Sequence, residues 1–260
     1  TPQTSIADNG QYTATVTWSG SPSSFGPNTV YTATVTVTAN TNWTLSGVTA
    51  NFFTINGVTP TSQNSVNAGV FQYAFAATAK SIITTSNVVV TAPVLGATPQ
   101  ITVADSGQYT ATVTWSGSPS VFAANTIYTA TVNIVPNSAY TLTGVAANFF
   151  TINGSVPTSQ NLVNAGSFQY TFPVTAKNII STRNVVVTAP VLGATPQASV
   201  TDNGQYTATI AWSDSPTTFA ANTVYTATVT VTANTNWTLT GVAANFFTIN
   251  GVAPTSPNSV

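Results

Sequence analysis

The chain of 260 residues has no cysteine, no histidine and no methionine, and only 3% of it is charged. Without cysteine there is neither a disulfide framework nor a thiolate, and without histidine there is no imidazole base or ligand. Four Asp, no Glu, two Lys and one Arg make up all the charged side chains. The net charge of −1 gives no basic footprint for nucleic acid or an anionic lipid surface. No apolar run approaches the roughly 18 residues of a membrane span, because Thr, Ser or Asn interrupts each one. The missing oxidation-prone and pH-switching residues suit an exposed, long-lived material. The opening TPQTSIADNG has neither an initiator Met nor a signal peptide, which predicts a processed product or a cut from something longer. Hydrophobic residues still reach 43% and aromatics 10%, enough for real cores.

What is present is repetition. TPQ occurs at Thr1, Thr98 and Thr195, QYTAT at Gln11, Gln108 and Gln205, and ANFFTING at Ala50, Ala147 and Ala244, always 97 residues apart. The chain therefore reads as repeat one over 1–97, repeat two over 98–194 and a truncated repeat three over 195–260. Repeat phase need not equal domain phase, since an array can be cut anywhere.

Within a repeat the pattern is strand after strand. In QYTATVTWS, Tyr12, Ala14, Val16 and Trp18 fall on one face and Thr13, Thr15 and Thr17 on the other. VYTATVTVTA repeats this with Tyr31, Ala33, Val35 and Val37 against Thr32, Thr34, Thr36 and Thr38. Such alternation predicts half-buried antiparallel strands, with core positions at Tyr12, Val16, Trp18, Val35, Val37, Phe71 and Tyr73. Further strands are expected over 43–48, 52–55, 70–76 and 87–94, and a short one near 4–7. Asn9-Gly10, Ser21-Pro22, Asn56-Gly57 and Asn67-Ala68-Gly69 supply the turns. No segment shows a helical period. About seven short strands per repeat predict an all-β fold of tandem immunoglobulin-like antiparallel β-sandwiches.

The strings NTVYTATVTVTANTNWTLSGVTANFFTING and FQYTFPVTAKNI resemble the immunoglobulin-like repeats strung in tandem in large bacterial cell-surface and secreted proteins. The likeness covers most of each repeat, above all the YTATVT strand and the GVxANFF segment. It implies an extracellular, modular and non-enzymatic protein. The near absence of charge and the near identity of the copies depart from that family's pattern.

Candidate chemistry is sparse. Asp8, Asp105 and Asp202 each open a DxG turn, one per repeat, and so cannot act as an acid–base pair. An Asx-turn, with the side chain bonding backbone two residues on, explains them better than a calcium site. Lys80 and Lys177 recur in TAK; the family's Lys–Asn crosslink beside an acid and a plain surface pair with Asp8 both stand open, the pair being the simpler. Trp18, Trp115 and Trp212 share register with inward residues and read as core; Trp43, Tyr140 and Trp237 follow a turn and are more open, with core packing still the simpler reading and a sugar platform the alternative. Asn42, Asn153 and Asn236 head N-x-Ser/Thr glycan acceptor sites. No cofactor and no catalytic residue is expected.

Three functions compete: a head-to-tail structural filament of the bacterial surface, a spacer or stalk of a large adhesin, and a glycan-binding module. A net charge near zero favours self-association over a solitary soluble rod. The expected partners are other copies of the chain and covalent glycans, outside the cell. Repeat three stops before the counterparts of Phe71, Tyr73 and Phe75 and of Val88, Val89 and Val90. It is therefore expected to lack two strands and to be completed by another piece of chain.

Overall fold

The computed structural model describes residues 1–258; Ser259 and Val260, which end the third repeat, lie outside the described residues. The described residues are all-β, without a helix. Repeat one carries β1 (Ser5–Ile6), β2 (Tyr12–Trp18), β3 (Thr32–Ala39), β4 (Val70–Ala74), β5 (Ser81–Ile82) and β6 (Asn87–Val88). Repeat two carries β7 (Thr102–Val103), β8 (Tyr109–Trp115), β9 (Thr129–Pro136), β10 (Tyr140–Thr141), β11 (Thr151–Ile152), β12 (Ser167–Thr171), β13 (Asn178–Ile179) and β14 (Asn184–Val185). Repeat three carries β15 (Ser199–Val200), β16 (Tyr206–Trp212), β17 (Ala227–Ala233), β18 (Trp237–Thr238) and β19 (Thr248–Ile249).

The chain divides into two compact units. The first comprises Thr1–Val89, Thr102–Val113 and Val132–Gln169. It holds an antiparallel sheet in the order β1-β2-β3-β4. Tyr12 lies opposite Ala39 and Trp18 opposite Ala33, while Val35 lies opposite Phe71. This register sets the apolar parity of β2 and β3 on one face, as the alternation predicts. Ala14, Val16, Ala33, Val35, Val37, Phe53 and Phe71 form the buried core, with Tyr12 and Trp18 packed at its margin. Phe53 stacks on Phe71 at 5.2 Å between ring centroids. Thr13, Thr15, Thr17 and Thr36 face solvent, whereas Thr32 and Thr34 are half-covered. Gln72 Nε2 donates to Thr34 Oγ1 at 2.9 Å, so β4 accounts for part of that cover.

The second unit comprises Val90–Ile101, Thr114–Thr131 and the chain from Tyr170 on. Among the described residues its antiparallel sheet has three strands, in the order β15-β16-β17. Its core gathers Ile180, Val185, Val187, Tyr206, Ile210 and Val242. A further sheet, β12-β9-β8-β7, has strands β8, β9 and β12 that contribute residues to both units.

Hairpin chemistry follows the turn signals. Asn56 and Gly57 both adopt positive φ, at 49° and 78°. Ile55 and Val58 exchange backbone bonds of 2.9 and 2.8 Å across them. This is the two-residue connection that Asn-Gly favours, and it recurs at Asn153-Gly154 and Asn250-Gly251.

Two strand expectations need correction. Residues 43–48 of repeat one form no strand and 52–55 only an isolated bridge at Ile55, although their counterparts contain β10, β11, β18 and β19. The segment 87–94, expected to close its own repeat, narrows to β6, which pairs with the next repeat instead. One cause explains both. A two-residue strand exists only beside a partner, and the partner of 140–152 is the end of repeat one.

Candidate functional site

Two features are built from the repeats: a joint where one repeat lends strands to the next, and a cleft where a strand position stands open.

The joint begins at Lys80. Before it, Asn28 N–H donates to the Ala79 carbonyl within repeat one; after it, Ser81 N–H donates to the Ala139 carbonyl of repeat two. β5 then runs parallel to β10, with Ser81 opposite Tyr140, and β6 parallel to β11, with Asn87 opposite Thr151. Ile83, Val88 and Val90 are buried at 1–2% exposure. Each such side chain contributes roughly 1.5–3 kcal/mol. Polar groups fix the placement. Gln108 Oε1 accepts from the Thr84 and Thr85 N–H groups at 2.8 and 2.9 Å, and its Nε2 donates to Thr84 Oγ1. Asn87 Oδ1 accepts from Gly154 N–H at 2.8 Å and from the Thr151 hydroxyl at 3.2 Å. Tyr109 Oη donates to the Asn87 carbonyl. A Cβ on Gly144 would sit 2.6 Å from Ile82 Cδ1, and the residue also holds φ +96°, so this contact with β5 requires glycine.

The second joint reproduces the first. β13 runs parallel to β18 and β14 to β19. Gln205 Oε1 accepts from Ser181 and Thr182, and Asn184 Oδ1 accepts from Gly251 N–H. The Arg183 guanidinium lies 6.0 Å over the Phe246 ring. In repeat one, where no described segment fills this place, Phe52 and Trp43 are 61% and 52% exposed.

The open cleft has a volume of about 890 Å³ and lies along Thr226–Val231, with Phe247, Ile249 and Pro254–Asn258 as its other walls. β17 is the edge of its sheet. Elsewhere this position is filled: β4 pairs with β3, and β12 lies beside β9. There Ala33, Val35 and Val37, and Ala130, Val132 and Ile134, are buried, whereas Ala227, Val229 and Val231 are only partly covered. Among the described residues, one of the two strand groups expected to be missing from repeat three is present. Its Val88-type strands come from residues 178–187, because that group serves the repeat that follows it rather than its own.

The remaining candidates scatter. Asp8 Oδ1 accepts from Gly10 N–H at 2.8 Å, the geometry of an Asx-turn, and from Asn40 Nδ2 at 2.8 Å. Asp105 and Asp202 do the same with Asn137 and Asn234. These side-chain amides, then the turn N–H groups, hold all three carboxyls below their ordinary value. Lys80 and Lys177 are exposed at the two joints. Asn42, Asn153 and Asn236 are exposed; Asn153 N–H donates to the Val88 carbonyl, and the Asn236 carbonyl accepts from Asn178, placing both beside joints. A shallower depression of about 540 Å³ brings Trp237 near Asp202 and Asn234. Among the described residues no three metal-ligating side chains cluster, and no helix is long and apolar enough to cross a membrane.

Buried Asn64 was missed in the sequence. Its Oδ1 accepts from Phe52 and Phe53 N–H, and its Nδ2 donates to the Thr49 and Ser65 carbonyls. The recurrence of TSQN at Asn161 was the available signal. Comparison with family models, with curated proteins and with solved structures returned no match.

Proposed function

We propose that this chain is a structural protein of the bacterial cell exterior, a segment of a head-to-tail filament of immunoglobulin-like β-sandwich repeats that carries no enzymatic activity. The observation that carries the reading is strand lending: β5 and β6 pair with repeat two, and β13 and β14 with repeat three. A repeat that lends strands forward cannot separate from its successor without uncovering buried Ile and Val. A chemically inert, nearly uncharged surface of Thr-rich strands supports the same role, since little repulsion opposes association.

A second reading, a stalk within one long polypeptide, is favoured by the fact that both joints lie inside a single chain. Negative-stain imaging and sedimentation of the purified chain separate the two. Fibres, or association that grows with concentration, are expected. Particles that stay monomeric at every concentration would replace the filament with the stalk.

A further inference from the structure

We propose that Asn153 and Asn250 are sites of spontaneous succinimide chemistry, latent while a lent strand holds the Asn-Gly turn and reactive once the joint opens. The inference needs only the two joints, so it stands whether the chain builds a filament or a stalk. In an Asn-Gly pair the glycine nitrogen can attack the side-chain carbonyl carbon, because no Cβ on the following residue obstructs it. The new N–C bond closes a cyclic succinimide and the side-chain nitrogen leaves as ammonia. Water then opens the ring to aspartate or isoaspartate, and the balance needs no metal or oxidant. The glycine nitrogen must first give up its proton and turn towards the asparagine side chain. A hydrogen-bonded turn permits this only through local opening.

At the second joint the lent segment takes hold of every group the reaction needs. Gly251 N–H donates to Asn184 Oδ1 at 2.6 Å, Asn250 Oδ1 accepts from Val187 N–H at 3.0 Å, and Asn250 Nδ2 donates to the Val187 carbonyl at 2.8 Å. At the first joint Gly154 N–H donates to Asn87 Oδ1 at 2.8 Å, and Asn153 N–H donates to the Val88 carbonyl. In both, the attacking nitrogen is tied to a side chain 67 residues away in the preceding repeat. At Asn9-Gly10 and Asn203-Gly204 the glycine N–H bonds Asp8 or Asp202 of the same turn, so no joint governs them. Asn56-Gly57 forms the same hairpin as the joint pairs, yet among the described residues nothing bonds the Asn56 side chain or Gly57 N–H. Asn56, Asn153 and Asn250 are all exposed, so access of water does not separate them and the hydrogen bonds do. The reaction also marks the joint where it occurs. An aspartate at 250 has no donor for the Val187 carbonyl and sets a carboxylate against it, and isoaspartate lengthens the backbone inside the turn.

The test ages the whole 260-residue chain in mildly alkaline buffer and reads each Asn-Gly peptide by mass spectrometry and by isoaspartate-specific methylation. Asn153 and Asn250 should convert about tenfold more slowly than Asn56, the factor that one or two net hydrogen bonds supply. Asn87→Ala should speed Asn153 by about that factor and leave Asn250 unchanged, and Asn184→Ala should do the reverse. Asn87→Asp keeps an acceptor for Gly154 N–H and should keep Asn153 slow. Each variant is aged well below its own melting transition, so that opening of the joint and loss of the whole fold are told apart. Equal rates at Asn56, Asn153 and Asn250 in the unsubstituted chain overturn the proposal. So does either alanine variant that speeds both joints alike or neither, or a fast Asn153 in the Asn87→Asp chain.

Discussion

The Tyr109 hydroxyl donates to the main-chain carbonyl of Asn87, 3.3 Å away and in the preceding repeat. Tyr206 and Asn184 form the same bond at 3.2 Å. Tyr109 and Tyr206 are each 1% exposed, while Tyr12, the same position in repeat one, is only half-buried. Tyr109→Phe should therefore cost about 1 kcal/mol, the usual net worth of one such hydrogen bond, and Tyr12→Phe close to nothing. Chemical denaturation of the two variants side by side checks the difference.

The pairing phase predicts which fragment folds. Residues 81–177 contain β5 through β12, including both strands lent by repeat one. Trypsin cutting at exposed Lys80 and Lys177 would release that piece. It holds no internal Lys or Arg, so its folding is read with a protease of broad specificity, which it should resist, and by cooperative melting. A fragment of residues 98–194, cut at the sequence repeat, loses Ile83, Val88 and Val90 and should melt lower or stay unfolded. Equal stability of the two would remove strand lending from the account.

Phe150 is 1% exposed and stacks on Phe168, while Phe247 is half-exposed. Phe150→Ala should destabilise by about 3–5 kcal/mol, the range for a buried phenylalanine. Phe247→Ala should cost clearly less. Urea midpoints of the two variants measure it.

Burial raises the phenol pKa of Tyr109 and of Tyr206 above the ordinary value. The folded state thus holds these protons more tightly than the unfolded chain does. Their contribution is fully present below the unfolded value of about 10 and is lost as pH rises through the raised folded value. The melting temperature should fall above that pH, and a Tyr109→Phe, Tyr206→Phe double variant should fall less steeply. At the acid end Asp8, Asp105 and Asp202 act oppositely, their contribution fading as pH drops through their lowered values. All three are exposed, so that effect should be small.

Alternation made β2 and β3 legible because seven or eight residues of period two can be told from chance, and each sets one face against a core. β5 and β6 have two residues apiece, and two residues carry no period. Their partners lie some 60 residues onward, a choice made by packing and not by local pattern. The Asx-turn at Asp8 was readable from DxG, since its bond spans two residues. The Asn40 amide on the same oxygen comes from 32 residues away and was not.

Strand lending also has a direction in time. The lent segment 81–90 precedes its acceptor in the chain, so on a ribosome it emerges first. Ile83, Val88 and Val90 must then wait in solvent until β10 and β11 have been made. The next lent segment, NIISTRNVVV, is nearly the same sequence as SIITTSNVVV and appears only after that acceptor. With copies this alike, the order of synthesis lets the first acceptor meet its donor before the near-duplicate exists, and the second acceptor emerges when the earlier donor is already paired.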